Sequence, residues 1–416
     1  MIVTKSYKLR LYPTKGQQVF FNKTMGACRV IYNEILYNLQ ENYKNNIKKN
    51  KFDLFKEIRT KYEWMKEVDT NALCSAFMDL DKAYNNFYNN KSNFPKFKKK
   101  KDKNTYRNNN NAKNKKIKNL IKNDKIKIPK IGLVKFRQDY NFNKLNIVKY
   151  HNITIERSKT NKYFCSICCE IETSEYEHTG EIIGIDLGIK DLMIDSNGNK
   201  YENPKYLNNV EQKINHLNRL YSKKKKGSKN QEKARLKLAT VYEKLCNKRK
   251  DNLHKITTKL IKENDIICIE NLSVKNMTKN HKLAKAIQDA SFGTLVNMLK
   301  YKAAWNNRQI IEIGRFYPSS KICHCCGWIN KSLTLNEREW IFPICKIKHD
   351  RDVNAAINIK NEGLRLLDKS TGEVPETYMP VENPTMDDKL VITLKSSGSM
   401  KQETKKKKRL TYEFIF

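Results

Sequence analysis

Residues 181–190, EIIGIDLGIK, constrain the chain more than any other stretch. Ile182 to Ile185 reads as a buried strand that ends on a carboxylate, Asp186, and Gly188 lets the chain turn away. A carboxylate at the end of a core strand is costly unless something pairs with it, although an Asp that merely starts a turn has the same appearance. The arrangement recurs. Residues 265–270, DIICIE, are a second apolar run that ends on Glu270, and 349–354, HDRDVN, put Asp352 at the start of the helical pattern AAINIKNEGLRLL. Three carboxylates, each at the end of a core element, are what a two-metal phosphodiesterase site requires.

Charge supports a polyphosphate partner. Lys and Arg number 83 against 44 Asp and Glu, a formal net charge of +39, and the lysines run the whole length instead of forming one tail. A biased coding composition raises the Lys and Asn counts but does not explain the imbalance over acids, so nucleic acid is the expected partner. No apolar run approaches the roughly 18 residues of a membrane span. MIVTKSYKLRLYP lacks the apolar core of a signal peptide. The 11 cysteines are scattered and odd in number, unlike a secreted disulfide framework. The expected location is the cytoplasm, with the nucleoid when DNA is bound.

Along the chain, residues 2–12 alternate as a half-buried strand, with Tyr7, Leu9 and Leu11 on one face; Pro13 ends it and Thr14 can cap a helix from Gln17 to about Tyr43. Further helices are expected over 52–66 and 70–89. In 91–107, KSNFPKFKKKKDKNTYR, aromatic and cationic residues interleave. Phe94, Phe97 and Tyr106 could stack on bases while Lys96, Lys98 and Arg107 hold phosphates; a solvated charge run is the competing reading. Asn104 to Asn123 reads as a mobile surface loop. Short strands are expected at 126–129, 133–137, 145–148, 152–157 and 163–172, the last with Cys165 and Cys168 as packed side chains. Strands at 191–195 and 199–201 join through Asn197-Gly198. Helices over 206–221 and 230–262 flank KKKKGSK as a basic hairpin, in which His254 has no assigned role. A helix at 290–306 and a strand at 309–313 follow. This order suggests a ribonuclease-H-like α/β fold.

Residues 318–352 interrupt that fold. Cys323 and Cys326 form a C-x2-C knuckle, and a second pair is expected at 342 and 345. Cys345 is present, but position 342 is Phe, which leaves three of the four ligands of a zinc ribbon.

Together these motifs closely resemble the TnpB (OrfB-type) family of insertion-sequence proteins, related to the type V CRISPR effectors. GIDLGIK (184–190), IENLSVKNM (269–277), FYPSSKICHCCG (316–327) and HDRDVNAAINI (349–359) carry the likeness, with YKLRLYPT, NFPKFKKK and DASFGTLVNMLKYKAAW outside the site. It covers roughly residues 1–365. The resemblance implies an RNA-guided DNA endonuclease in several parts. These are a wedge-like β-barrel (1–14 and 120–175) interrupted by a helical recognition domain with a basic loop (15–119), and a RuvC nuclease domain (176–317 and 350–368) carrying the inserted helical hairpin. A zinc-ribbon-like lobe (318–349) and a disordered tail (369–416) complete it. It places the catalytic trio on Asp186, Glu270 and Asp352, holding two Mg2+ ions, and a zinc on Cys323, Cys326 and Cys345. Two nearby groups could fill the gap at 342: His349, four residues after Cys345, and Cys325, whose place beside Cys326 turns it away from the site. Implied partners are a guide RNA from the element and a double-stranded DNA target, with no membrane. Competing functions are a transposase or accessory transposition protein using the same carboxylates, a non-cleaving RNA-guided repressor, and a decayed copy.

Overall fold

The computed structural model describes residues 1–100, 104–109, 120–137, 140–334 and 337–371. The expected tail lies outside these, except for the end of the last helix. In chain order the elements are β1 (Ile2–Tyr12), α1 (Lys15–Lys44), α2 (Lys51–Lys61), α3 (Thr70–Tyr88), β2 (Asn104–Asn109), β3 (Ile121–Lys122), β4 (Lys125–Ile128), β5 (Gly132–Phe136), β6 (Asn146–Arg157) and β7 (Tyr163–Glu172). There follow β8 (Ile182–Asp186), β9 (Asp191–Asp195), β10 (Lys200–Glu202), α4 (Glu211–Ser222), α5 (Lys229–Glu263), β11 (Ile266–Glu270), α6 (Val274–Met277), α7 (His281–Ala290), α8 (Phe292–Trp305), β12 (Gln309–Ile313), β13 (Glu339–Ile341), β14 (Lys348–Asp350) and α9 (Arg351–Thr371). The fold is mixed α/β and divides into two compact units: residues 1–182, 202–267 and 273–310, and residues 183–201, 268–272 and 311 onward. No helix among the described residues is long and apolar enough to cross a membrane.

The first unit contains a seven-stranded sheet of order β2-β6-β7-β1-β5-β4-β3. Among the described residues this sheet is open, with β2 and β3 at its edges, and does not close into the expected barrel. β3 is only two residues long and pairs with β4 alone, so it offers no continuous edge on which a barrel could close. β1 alternates as its sequence requires: Val3, Leu9 and Leu11 point into the core, and its register with β7 runs unbroken from Ile2↔Glu172 to Leu11↔Tyr163. Thr14 and Gln17 form a reciprocal capping box at the start of α1. The two strands expected at 145–148 and 152–157 are one strand, β6, whose register against β7 shifts at Ile147/Lys149 and at Tyr150/Asn152. In β7, Cys165 faces the core and Cys168, three residues on, faces the other side, so the pair cannot share an ion.

The expected loop at 104–123 is a strand over its first six residues. β2 pairs with β6 from Asn104↔Arg157 to Asn109↔Asn152. Tyr106 and Asn108 point inward at alternating positions, and the Asn108 amide donates to the Asp69 carboxylate. The remainder of that expected loop, 110–119, lies outside the described residues.

A five-stranded sheet of order β10-β9-β8-β11-β12 supplies most of its residues to the second unit. β8 and β11 are adjacent and central, and their Ile183, Ile185, Ile267, Cys268 and Ile269 side chains are buried. α9 lies across these strands. Gly184 in β8 leaves no room for a side chain beneath Ala356 and Lys360, and Gly363 sits directly over Cys268. Small residues at these crossings bring the helix backbone onto the sheet, so the first turn of α9, which carries Asp352, is set by β8.

Candidate functional site

The three strand- and helix-end carboxylates come together in the second unit. Asp186 is the last residue of β8, Glu270 the last of β11, and Asp352 the second of α9. The Asp186 carboxyl is pushed up to about 7, first by desolvation and then by the negative fields of Glu270 and Asp352; Arg351 and the Leu187 backbone N–H oppose the shift. Mutual repulsion of this kind requires the carboxyl ends of β8 and β11 to share one edge of the sheet, where open α/β sheets commonly bind ligands.

Neighbouring side chains hold two of the three carboxylates. Ser319 Oγ donates to Glu270 Oε1 at 2.6 Å. Arg338 Nη1 donates to Asp352 Oδ2 at 2.6 Å. Asp350 caps α9 through Oδ1, which accepts from the backbone N–H groups of Asp352 at 2.9 Å and Val353 at 3.2 Å; Lys200 binds its other oxygen at 2.5 Å. A desolvated, oxygen-only cluster of three acids, one of them held half-protonated near neutral pH, suits a hard divalent cation such as Mg2+, which would relieve that repulsion.

The cysteine lobe belongs to the same unit. Its first knuckle closes with Gly327 N–H donating to Cys323 O at 3.0 Å, and its second repeats this geometry with Lys346 N–H donating to Phe342 O at 2.9 Å. Gly327 and Lys346 both have positive φ, at 73° and 57°. The second knuckle therefore keeps the backbone of a ligand turn although its leading residue is Phe. The Phe342 ring is fully buried, 3.6 Å from the Trp340 ring centroid and 4.8 Å from that of His349. Cys323 Sγ lies 3.7 Å from Cys345 Sγ and 3.5 Å from His349 Nε2. These are edge lengths of a tetrahedral zinc site. Two triads share Cys323, one with Cys326 and Cys345 and one with Cys325 and His349, and among the described residues they do not merge into a four-ligand set. Desolvation raises the Cys323 thiol to about 12. Burial also pushes the Cys326 thiol up, but hydrogen bonds from the Trp328 backbone N–H and from Cys323 and Cys345 outweigh it and leave that thiol below its ordinary value. The Cys323, Cys326 and Cys345 donors fit three corners of a zinc site, and Phe342, packed in the same cluster, stands at the fourth ligand's place in the sequence.

Of the six expected nucleic-acid contacts, Phe94, at 41% exposure, Phe97, at 44%, Lys96 and Lys98 present surface, although the Phe94 ring also packs edge-on against Tyr84 and Phe87. Tyr106 and Arg107 are corrected by their packing, and Lys98, though exposed, is held by its neighbours. Tyr106 is only 3% exposed, because its position in β2 points it at Phe21 in the core, so it cannot stack on a base. Arg107 is committed to Asp79 at 2.6 Å. The Lys98 backbone is pinned on both sides by the Asn33 amide, and its ammonium sits 3.8 Å from the Tyr32 ring centroid, where burial lowers its pKa.

Sequence reasoning missed Ser319, Arg338, Asp350 and Lys200, all ordinary polar residues whose roles depend on contacts across the fold. Phe316, 92% exposed, lies three residues before Ser319. Its motif was visible in the sequence, but its exposure was not.

Known proteins place the chain. Residues 166–281 match the OrfB IS605 family model, described as "Probable transposase", and 292–359 match the Cas12f1-like TNB domain. A Streptomyces pristinaespiralis protein, provisionally named an RNA-guided DNA endonuclease, is 33% identical over 377 residues, covering 87% of this chain and 90% of that one. The chain belongs to the TnpB (OrfB) family. InsQ of Escherichia coli K12, another TnpB relative with the same provisional assignment, is 28% identical over 407 residues, 92% of this chain and 97% of InsQ. A solved Cas12f1–sgRNA–target DNA complex aligns over 86% of this chain and 99% of that chain at 17% identity, with a TM-score of 0.34, too low to establish a shared fold. Residues 1–48 match a model described as a helix-turn-helix domain, yet in this TnpB protein they form one strand and one 30-residue helix.

Proposed function

We propose that this protein is an RNA-guided DNA endonuclease of a transposable element, cutting phosphodiester bonds with a RuvC-like, Mg2+-dependent site made of Asp186, Glu270 and Asp352. The observation that carries the reading is the mutual repulsion of these carboxylates, two at adjacent strand ends and one in the first turn of α9. It occurs in a chain similar over nearly its whole length to proteins provisionally named for that activity. Bound divalent cations would activate water for attack and stabilise charge on the departing oxygen. The chain's own groups fix the geometry: Ser319 orients Glu270, while Asp350 and Lys200 anchor the first turn of α9 so that Asp352 faces Asp186. Arg338 neutralises Asp352 in the metal-free protein and must leave Oδ2 before a cation can use that oxygen. Sequence would be read by base pairing with guide RNA, the protein gripping backbones and a short flanking duplex.

Within this reading, residues 176–317 and 350–368 are the nuclease domain, the helices within 15–100 the recognition domain and 318–349 a zinc-ribbon-like lobe. The test is to purify the protein from native cells, sequence any RNA that copurifies, and offer plasmids bearing the matching target with Mg2+. Cleavage dependent on that RNA is expected. Joined strands in place of cut ends would favour the transposase reading suggested by the family description, and RNA-directed binding without cutting would favour a repressor.

Two further outcomes follow. Nucleic-acid affinity should fall about 10^3-fold or more between 50 and 200 mM salt if roughly six phosphates are contacted. A nearly flat log–log slope in a filter-binding series would mean that the +39 charge is solvated and not engaged. Zinc per chain, measured by atomic emission after dialysis against a weak chelator, should be below one in the native protein, because Phe342 brings no ligand atom to the second knuckle. Phe342→Cys should raise it to about one, and should melt lower than the native protein when zinc is withheld, because a buried ring is lost. One tightly held zinc in the native protein, lost in His349→Ala, would instead make His349 the fourth ligand.

A further inference from the structure

Helices α4 and α5 leave a groove of about 470 Å3 between them. Leu217 and Leu245 lie on its floor, and Tyr206 lines it as well. Four exposed lysines, Lys213, Lys237, Lys244 and Lys248, surround this apolar floor. On α5 the spacing of seven and then four keeps its three lysines on one face, along about 16 Å of helix.

A basic helix in water is the ordinary explanation of such lysines. Four of the hairpin's five carboxylates argue against it; the fifth, Glu263, is at the far end of α5. Glu211 is bound to Lys285 at 2.5 Å, Glu232 to Arg235 at 2.6 Å, Glu243 to Lys162 at 2.8 Å and Asp251 to Lys255 at 2.8 Å. Among the described residues, none of these acids reaches the four groove lysines. These four acids are thus paired away from the groove, and no ion pair among the described residues neutralises the four lysines around its apolar lining. That combination suits a polyanion with flat apolar faces: phosphates for the ammonium groups and a base for the floor and Tyr206. A groove of this volume is the size of a small-ligand site and takes a nucleotide or two of unpaired strand, not a duplex.

We infer that the α4–α5 groove is an RNA-docking site that grips an unpaired stretch of the guide RNA. The inference rests on the RNA-guided reading above. Every groove residue belongs to the first compact unit, whereas the three carboxylates belong to the second. None of the three carboxylates lines the groove, so a strand seated there meets no proposed cutting group in it and is read as one to be held. In the proposed reaction both DNA strands are substrate and the RNA alone is retained.

The test uses full-length protein carrying Lys213→Gln, Lys237→Gln, Lys244→Gln and Lys248→Gln together. Its control has the same charge change at four exposed lysines outside the groove, Lys226, Lys233, Lys250 and Lys262. Circular dichroism and melting check that both variants remain folded. Affinity for the RNA that copurifies with the native protein is measured without DNA, and affinity for single-stranded DNA of equal length is measured on RNA-free protein. The groove variant should lose at least tenfold in RNA affinity, and its salt slope should fall by about three, near 0.7 for each lost single-strand contact. The control should lose less than threefold. Equal losses in both variants would reduce the groove to net charge and overturn the inference. So would unchanged RNA affinity with lost DNA affinity, which would make the groove a DNA path. If RNA copurifies but the groove variant binds it normally, only this inference falls; if no RNA copurifies, the RNA-guided reading falls with it.

Discussion

Asp186→Asn, Glu270→Gln and Asp352→Asn are each expected to lower Mg2+-dependent DNA cleavage by about 10^3-fold or more while leaving RNA affinity within about twofold. Each change removes one charged oxygen donor, keeps the shape of the side chain, and lies in an acidic cluster that offers RNA phosphates no favourable contact. Asp186→Asn carries a second signature, visible without any substrate. The folded-state pKa of Asp186 is raised from 3.8 to about 7. Between roughly pH 4 and 7 the folded protein therefore keeps a proton that the unfolded chain releases. Because the folded state binds more protons in that window, stability of the metal-free protein falls as pH rises through it, by a few kcal/mol in all. Asn carries no such charge. In EDTA, Asp186→Asn should melt higher than wild type at pH 8, with the difference closing towards pH 4.5. Mg2+ should narrow the gap at pH 8 by stabilising wild type alone. Substantial cutting by any of the three variants would remove that residue from the site, and a pH-independent difference in melting would mean that Asp186 is not desolvated beside its two neighbours.

The acids were legible in the sequence because a carboxylate that terminates an apolar strand breaks a local rule without local compensation, and two such breaks, with a third acid at the start of a helical pattern, call for a common cause. What supports them was not legible. Ser319 and Lys200 are unremarkable polar residues until the fold places one against Glu270 and the other against Asp350. The interleaved aromatic and basic run at 91–107 misled for a related reason. Composition says that Tyr106 and Arg107 suit nucleic acid, but strand pairing with β6 turns one ring into the core and leaves the guanidinium beside Asp79. The open sheet in place of a barrel is likewise a matter of long-range pairing, which short strand patterns do not encode. At Phe342 the sequence showed a missing ligand but not that the turn around it survives, with Lys346 in the positive-φ place that Gly327 takes in the other knuckle.

Gly184→Ala should disable the enzyme without touching any of its acids. Gly184 lies in the middle of β8, and its backbone is held on both sides by Ser196: Gly184 N–H donates to Ser196 Oγ at 3.1 Å, and Ser196 N–H donates to Gly184 O at 2.9 Å. A Cβ added here would stand 2.6 Å from the Lys360 backbone nitrogen, 2.8 Å from the Lys360 Cβ and closer still to the Ala356 carbonyl oxygen. Two of these three are helix backbone atoms, which no rotamer change can move, and β8 is tied in place, so α9 must retreat from the sheet. Asp352 rides on the same helix one turn before Ala356, and its distance from Asp186 changes with that retreat. Overpacking of this kind costs about 1–3 kcal/mol, and a shift near 1 Å at a reacting centre can cost about 100-fold in rate. The expected result is cleavage reduced 100-fold or more and a lower melting temperature, with RNA affinity preserved because the basic surfaces are unaltered. Gly26→Ala, the same chemical change in α1 with open space around the new methyl, is the control and should be neutral or slightly stabilising. If Gly184→Ala cuts DNA at the native rate, α9 is not seated on β8 as described, and the placement of Asp352 opposite Asp186 loses its structural basis.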